Sequence, residues 1–103
     1  MYEAVTAIEI DTFLAEMDGW SLSPEQKLTK AFKFKNFNEG LEFVNQIAAI
    51  ADRLDHHPDI LLSWGKVELS IYTHCKNALT RTDFELAKQI DLLVAGFSSS
   101  NTL

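Results

Sequence analysis

The sequence predicts an α+β domain in which a four-stranded antiparallel sheet carries three helices on one face, in the order α-β-β-α-β-β-α. Three observations lead there. Three stretches repeat apolar residues at helical spacing behind a capping signal, and between them lie two stretches that alternate apolar and polar residues around a turn signal. No linker, repeat or low-complexity segment divides the 103 residues, so positions 1–103 read as a single domain.

Thr6 with Glu9 forms a capping box, and Ile10, Phe13, Leu14 and Met17 recur at helical spacing until Gly19 stops the run. Trp20 and Leu22, then Leu28, Phe32 and Phe34, alternate on either side of Ser23-Pro24-Glu25, a hairpin with a proline-initiated turn. Asn36 with Glu39 caps a second helix bearing two apolar stripes, Leu41-Val44-Ala48-Ala51 and Phe43-Ile47-Ile50-Leu54, a face wide enough to lie on a sheet. Pro58 pushes His57 away from helical angles and closes that helix at or just before the histidine pair.

Ile60, Leu62 and Trp64 alternate, Gly65 permits a turn, and Val67, Leu69 and Ile71 alternate again opposite Lys66, Glu68, Ser70, Tyr72 and His74. This second hairpin places His74 at its far end in the polar series, and folding it back returns that end to His56 and His57. Thr80 with Asp83, or Thr82 with Glu85, starts a last helix whose stripe is Leu86, Ile90, Leu93 and Phe97, and residues 98–103 read as a frayed tail.

Composition narrows the function. A formal charge of -6 and a pI near 4.9 argue against a nucleic-acid binder, which needs a concentrated cationic face. The basic run Lys27, Lys30, Lys33 and Lys35 is interleaved with acids and reads as solvated strand edges. Cys75 is the only cysteine, which excludes an internal disulfide and fits a reducing compartment. Neither a basic leader nor an apolar run of spanning length is present, so no membrane association and a cytoplasmic location are expected.

All three histidines fall between Asp55 and His74. Histidine alone among side chains gives and takes protons near neutrality without perturbation, so this clustering points to a proton-transfer site. Plainer roles stand beside that one. His56 and His57 at a helix C-terminus would bond the last carbonyls and answer the helix dipole, and Asp83 would serve as the acid of a capping box. An adjacent pair with a distant third is not the usual zinc-ligand spacing. Cys75 beside His74 on a strand would point to the opposite face, which argues against a nucleophile and base. Trp20, Trp64 and the phenylalanines read as core or subunit contact.

Together, Asp55-His56-His57-Pro58, Thr73-His74 and Leu79-Thr80-x-x-Asp83, supported by Gly19-Trp20, Phe32-x-Phe34-x-x-Phe37 and Leu86-Ala87 with Ile90, resemble the pterin-4a-carbinolamine dehydratases over nearly the whole chain. The resemblance implies a homodimer or homotetramer that dehydrates 4a-hydroxytetrahydropterin to quinonoid dihydropterin, without metal or organic cofactor, in tetrahydropterin recycling. It implies catalytic roles for His56, His57, His74 and Asp83, and a pterin site lined by Asp55, His56, His57, Pro58, Tyr72, Thr73, His74 and Cys75. Within that set, His57 or His74 would be the acid at the hydroxyl, His56 a pterin hydrogen-bonding partner, and Asp83 a group that orients a histidine or raises its pKa. The chain departs from the family pattern at Cys75, where an acid is common, at Ala78, where glycine is common, and at Ile60, where an aromatic is seen. The competing class is a non-enzymatic interaction module, a transcriptional coactivator or assembly factor on the same fold. An intact histidine set favours the enzyme.

Overall fold

A computed structural model describes residues 3–101, with side chains described to residue 97. Helix α1 spans Ala7–Glu16, strands β1 and β2 span Ser21–Leu22 and Leu28–Lys33, and helix α2 spans Phe37–Leu54. Strands β3 and β4 lie at Asp59–Ser63 and Lys66–Ile71, then come a 3-10 turn at His74–Lys76 and helix α3 at Arg81–Asn101. The four strands form one sheet of order β1-β2-β4-β3 with every neighbour antiparallel, the architecture the periodicities predict. The tail expected from residue 98 is helical backbone as far as Asn101, and residues 102 and 103 lie outside the described residues.

Local chemistry explains the boundaries. Thr6 accepts from the Glu9 N–H and Glu9 accepts from the Thr6 N–H, so both halves of the capping box are made. The Thr6 N–H, and after it the Arg81 guanidinium, hold the Glu9 carboxyl below its ordinary value. That contribution to α1 is therefore complete above the ordinary carboxylate range and is lost as pH falls through the lowered value. Asn36 caps α2 through the Glu39 N–H at 2.9 Å.

The first hairpin turns at Ser23, whose carbonyl accepts from Gln26, with Gln26 itself in the left-handed region at φ 67. Gly65 serves the second hairpin through close approach: a Cβ there would stand 3.1 Å from the Phe34 carbonyl oxygen. Its own carbonyl accepts from the Phe34 N–H at 2.9 Å.

The core lies between the sheet and the helices. Leu28 and Phe32 of β2, with Val67, Leu69 and Ile71 of β4, meet Phe43, Ile47 and Ala51 of α2 and Leu86, Ala87 and Ile90 of α3, all buried. At about 1.5–3 kcal/mol for each fully buried large apolar side chain, this layer supplies the main favourable term in folding. α1 contributes an aromatic stack of Phe13 on Phe84, with ring centroids 4.5 Å apart.

Three sequence expectations fail here. The first α2 stripe is only partly used, since Leu41 and Ala48 are exposed and Gly40 takes the inward position against Leu62 and Val67. Trp64 does not continue the inward series of β3, because the strand ends at Ser63 and the indole stands in the turn, 70% exposed. Lys30 is no solvated edge: its ammonium meets Asp91 at 2.9 Å and the Asp18 carbonyl at 2.8 Å, over the Trp20 and Phe32 rings. An inward-facing lysine on β2 thus becomes a tie to α3.

The end of α2 redirects the chain sharply. Asp55 takes left-handed angles (φ 52, ψ 44), its N–H bonds the Asp52 carbonyl at 3.2 Å, and the His56 N–H bonds Ala51 at 3.0 Å. These two bonds are those of a Schellman motif, here built on aspartate where glycine is usual. A β-branched side chain at this φ is a steric outlier, so Asp55→Val is expected to lower stability by about 1–2 kcal/mol. Urea unfolding reads this, and an unchanged midpoint would mean that the turn is not held in this geometry.

Candidate functional site

The turn at Asp55 reverses the chain so that His56 points back beneath the start of α3 while His57 stays outside. His56 is 7% exposed and its Nε2 lies 2.5 Å from Asp83 Oδ1. A carboxylate oxygen accepts, so at this contact the imidazole Nε2 is the donor.

Asp83 is wholly buried and gathers donors from three segments. Its Oδ2 accepts from the Thr73 hydroxyl at 2.8 Å and from the Thr80 N–H at 2.7 Å, and the Thr80 hydroxyl lies 2.9 Å from that of Thr73. The second of these bonds is half of a capping box, which settles the start of α3 on Thr80 and Asp83 rather than on Thr82 and Glu85. His56, Thr73, Thr80 and Asp83 are the buried polar residues among those described, and no buried side-chain polar atom among the described residues lacks a partner.

His57 and His74 face solvent. The His57 Nε2 meets Asp52 Oδ1 at 2.8 Å, with the two side chains 57% and 76% exposed. His74 does not extend β4, as its place in the polar series predicted; the strand ends at Ile71 and His74 opens the 3-10 turn. Thr73 and Ala78 close the base of that turn in an antiparallel bridge. Cys75 is a free, exposed thiol on the same turn, so the strand argument that separated it from His74 does not apply.

Asp55, His56, His57, Tyr72, Thr73, His74 and Cys75 line one open hollow of about 230 Å³. Of the predicted site residues, Pro58 and Asp83 do not line it: Pro58 leads into β3, and Asp83 stands behind His56. Larger hollows of about 610, 420 and 310 Å³ lie around Phe13, Met17 and Phe84, on the helix-free face of the sheet, and at Glu42, Gln46 and Phe97. None of the three contains a histidine, so the chemistry favours the smallest one. Two residues escaped the sequence reading as partners of the site. Asp52 is the carboxylate against His57, and the Thr80 hydroxyl joins the buried network. The arrangement offers one histidine fixed by a buried carboxylate and two that stand within reach of solvent.

The fold and the hollow define a small α+β domain with three histidines gathered at one end of an antiparallel sheet. The model of the family described as pterin 4 alpha carbinolamine dehydratase matches residues 3–93, and the chain belongs to that family of dehydratase enzymes. A relative from Sulfolobus acidocaldarius, named for pterin-4-alpha-carbinolamine dehydratase, is 49% identical over 83 residues, covering 81% of this chain and 90% of its own. One from Picosynechococcus with the same name is 41% identical over 93 residues, covering 90% of this chain and all of its own. Among solved structures, a transcriptional coactivator/pterin dehydratase from Brucella melitensis superposes with a TM-score of 0.84 at 30% identity, over 88% of this chain and 98% of its own. A pterin dehydratase-like protein identified as a RuBisCO assembly factor of the alpha-carboxysome superposes with a TM-score of 0.61 at 19% identity, over 73% of this chain and 88% of its own, a likeness of fold alone.

Removing the Asp83 carboxylate strands several buried donors at once. Asp83→Ala is expected to lower unfolding free energy by about 2–5 kcal/mol. Chemical denaturation measures it, and a loss within about 0.5 kcal/mol, the size of an ordinary surface change, would remove Asp83 from its place as the hub.

Proposed function

We propose that the chain dehydrates 4a-hydroxytetrahydropterin to quinonoid dihydropterin by histidine acid–base catalysis in the hollow at residues 55–57 and 72–75, one step in tetrahydropterin recycling that leaves the reduction of the dihydropterin to a separate reductase. The observation that carries the reading is that His74 joins the adjacent pair His56 and His57 in lining one solvent-reachable space. In the reaction the bond between the carbinolamine carbon and its hydroxyl oxygen breaks, and an acid protonates the oxygen so that it leaves as water. A base removes the adjacent ring N–H proton, and the freed electron pair closes the C=N bond. Two roles require two groups. His57 or His74 acts as the acid, since both face solvent and can be reprotonated between turnovers.

His56, aimed by Asp83, is assigned to binding a pterin ring edge, beside Asp55, Tyr72, Thr73 and Cys75; Pro58 stiffens the approach to β3. Sites for drug-sized ligands usually enclose ~300–1,000 Å³, so a hollow of about 230 Å³ suits the bicyclic head of the pterin with its substituent left in water. No cofactor enters this scheme.

An assembly of two or four copies fits the apolar side chains left outside the core, Leu61 at 59% and Trp64 at 70% exposed beside the free edge of β3, and Phe37 and Leu41 on α2. A cytoplasmic site of action fits the unpaired Cys75, and no helix among the described residues is long and apolar enough to cross a membrane. The acidic charge of -6 speaks against nucleic acid as a partner. The same exposed apolar residues, and the coactivator in the name of the Brucella protein, support a second reading as an interaction module.

Turnover of chemically prepared 4a-hydroxytetrahydropterin, set against its spontaneous dehydration, decides between the two. Catalysis above background is expected; a rate equal to background puts the interaction role ahead. His74→Ala is expected to lower the rate ~100-fold or more, and unchanged turnover would remove His74 from the chemistry. Sedimentation is expected to give a dimer or tetramer, and a monomer at working concentration would end the proposed assembly.

A further inference from the structure

The 3-10 turn that carries His74 ends on Asn77, whose backbone is left-handed at φ 51 and ψ 41, and whose N–H bonds the His74 carbonyl at 3.0 Å. Glycine takes such angles without strain, and asparagine is tolerated at some cost. The asparagine does something glycine cannot: its Oδ1 accepts from the Tyr72 hydroxyl at 3.2 Å. The Tyr72 ring, tethered at that end, meets the His74 imidazole edge-on with centroids 5.3 Å apart at 73°, while the Lys27 ammonium stands 5.8 Å from its centroid. The bridge at the base of the turn is built from long bonds, Thr73 N–H to Ala78 at 3.3 Å and Ala78 N–H to Thr73 at 3.4 Å. The backbone alone therefore holds this exposed turn weakly.

We infer that Asn77 and Tyr72 form a clasp that sets the orientation of the His74 imidazole at the mouth of the hollow, which makes Asn77 a positioning residue for the dehydration. The inference rests on the proposed use of His74 in the reaction. Its physical basis is that an exposed side chain on a short turn samples several rotamers, and a tethered aromatic ring beside it removes some of them. Tyr72 then acts through its ring on His74 as well as facing the hollow.

The discriminating variant is Asn77→Gly, which keeps the left-handed backbone and removes the acceptor. Thermal stability is expected to hold or rise, because glycine relieves the local strain. kcat is expected to fall ~2–10-fold, the loss that corresponds to one hydrogen bond of ordinary strength, with KM changing less. Tyr72→Phe is expected to give a similar fall, and the double variant no more than either single one, since both remove the same bond. Asn77→Asp, which keeps an acceptor, should recover most of the rate.

The NMR shifts of the His74 ring protons in the free protein give a second readout that needs no turnover, and Asn77→Gly should move them as the Tyr72 ring loses its tether. Unchanged kcat and unchanged His74 shifts in Asn77→Gly would overturn the clasp. If the unaltered protein shows no turnover above the spontaneous rate, the functional proposal fails, and the ring shifts alone then decide for or against the clasp.

Discussion

A carboxylate with no exposure is tolerable only if water is replaced by donors, and the donors that satisfy Asp83 come from the end of α2, the end of β4 and the start of α3. Losing any one leaves a buried polar group unpaired, so the three segments are held together by a requirement stricter than apolar contact. The bonds also run in one direction. The Thr80 hydroxyl gives to Thr73, whose own hydroxyl gives to Asp83, and the Thr80 N–H gives to the same oxygen, so each polarises the next. His56 takes the other carboxylate oxygen and inherits its orientation from the whole set. The contact that starts a helix is the contact that aims a histidine.

The site is thus divided by burial. His56 is buried against Asp83 with only one edge on the hollow, while His57 and His74 are exposed, each with a short-range partner, Asp52 and the Tyr72 ring. A group that must exchange a proton with solvent in every cycle is poorly served by burial, and a group that fixes a substrate edge is well served by it. Cys75 belongs to the wet side, an exposed thiol at the edge of the hollow that has no part in the buried network.

What the sequence disclosed depended on how local the cause was. The caps at Thr6 and Asn36, the stop of α2 just before the histidine pair and the inward stripe of α3 rest on neighbours within a turn or two, and they appear where the spacing puts them. Lys30, Trp64 and His74 went astray because partners far along the chain, or a strand that stops early, decide their places. Asp52 was hidden for a geometric reason. On a continuing helix, residues 52 and 57 would lie roughly 140° apart and never meet. Only the left-handed turn at Asp55 brings the imidazole back to the carboxylate, and an aspartate there gives no glycine signal to announce it.

The convergence of the histidines comes from strand register. β3 pairs with β4 so that Asp59 lies opposite Ser70, which carries residues 56–58 alongside residues 71–74. In β4 the inward positions are Val67, Leu69 and Ile71, and the next of that parity is Thr73, 2% exposed, whose hydroxyl reaches Asp83. A slip of one residue would turn three core side chains to solvent, and would swing Thr73 outward and Tyr72 into the place opposite Asp83. The apolar cost of that slip is what forbids it. The geometry of the hollow is therefore guarded by the hydrophobic core and the Asp83 network rather than by His57 and His74, whose own contacts are too few and too exposed to choose a register.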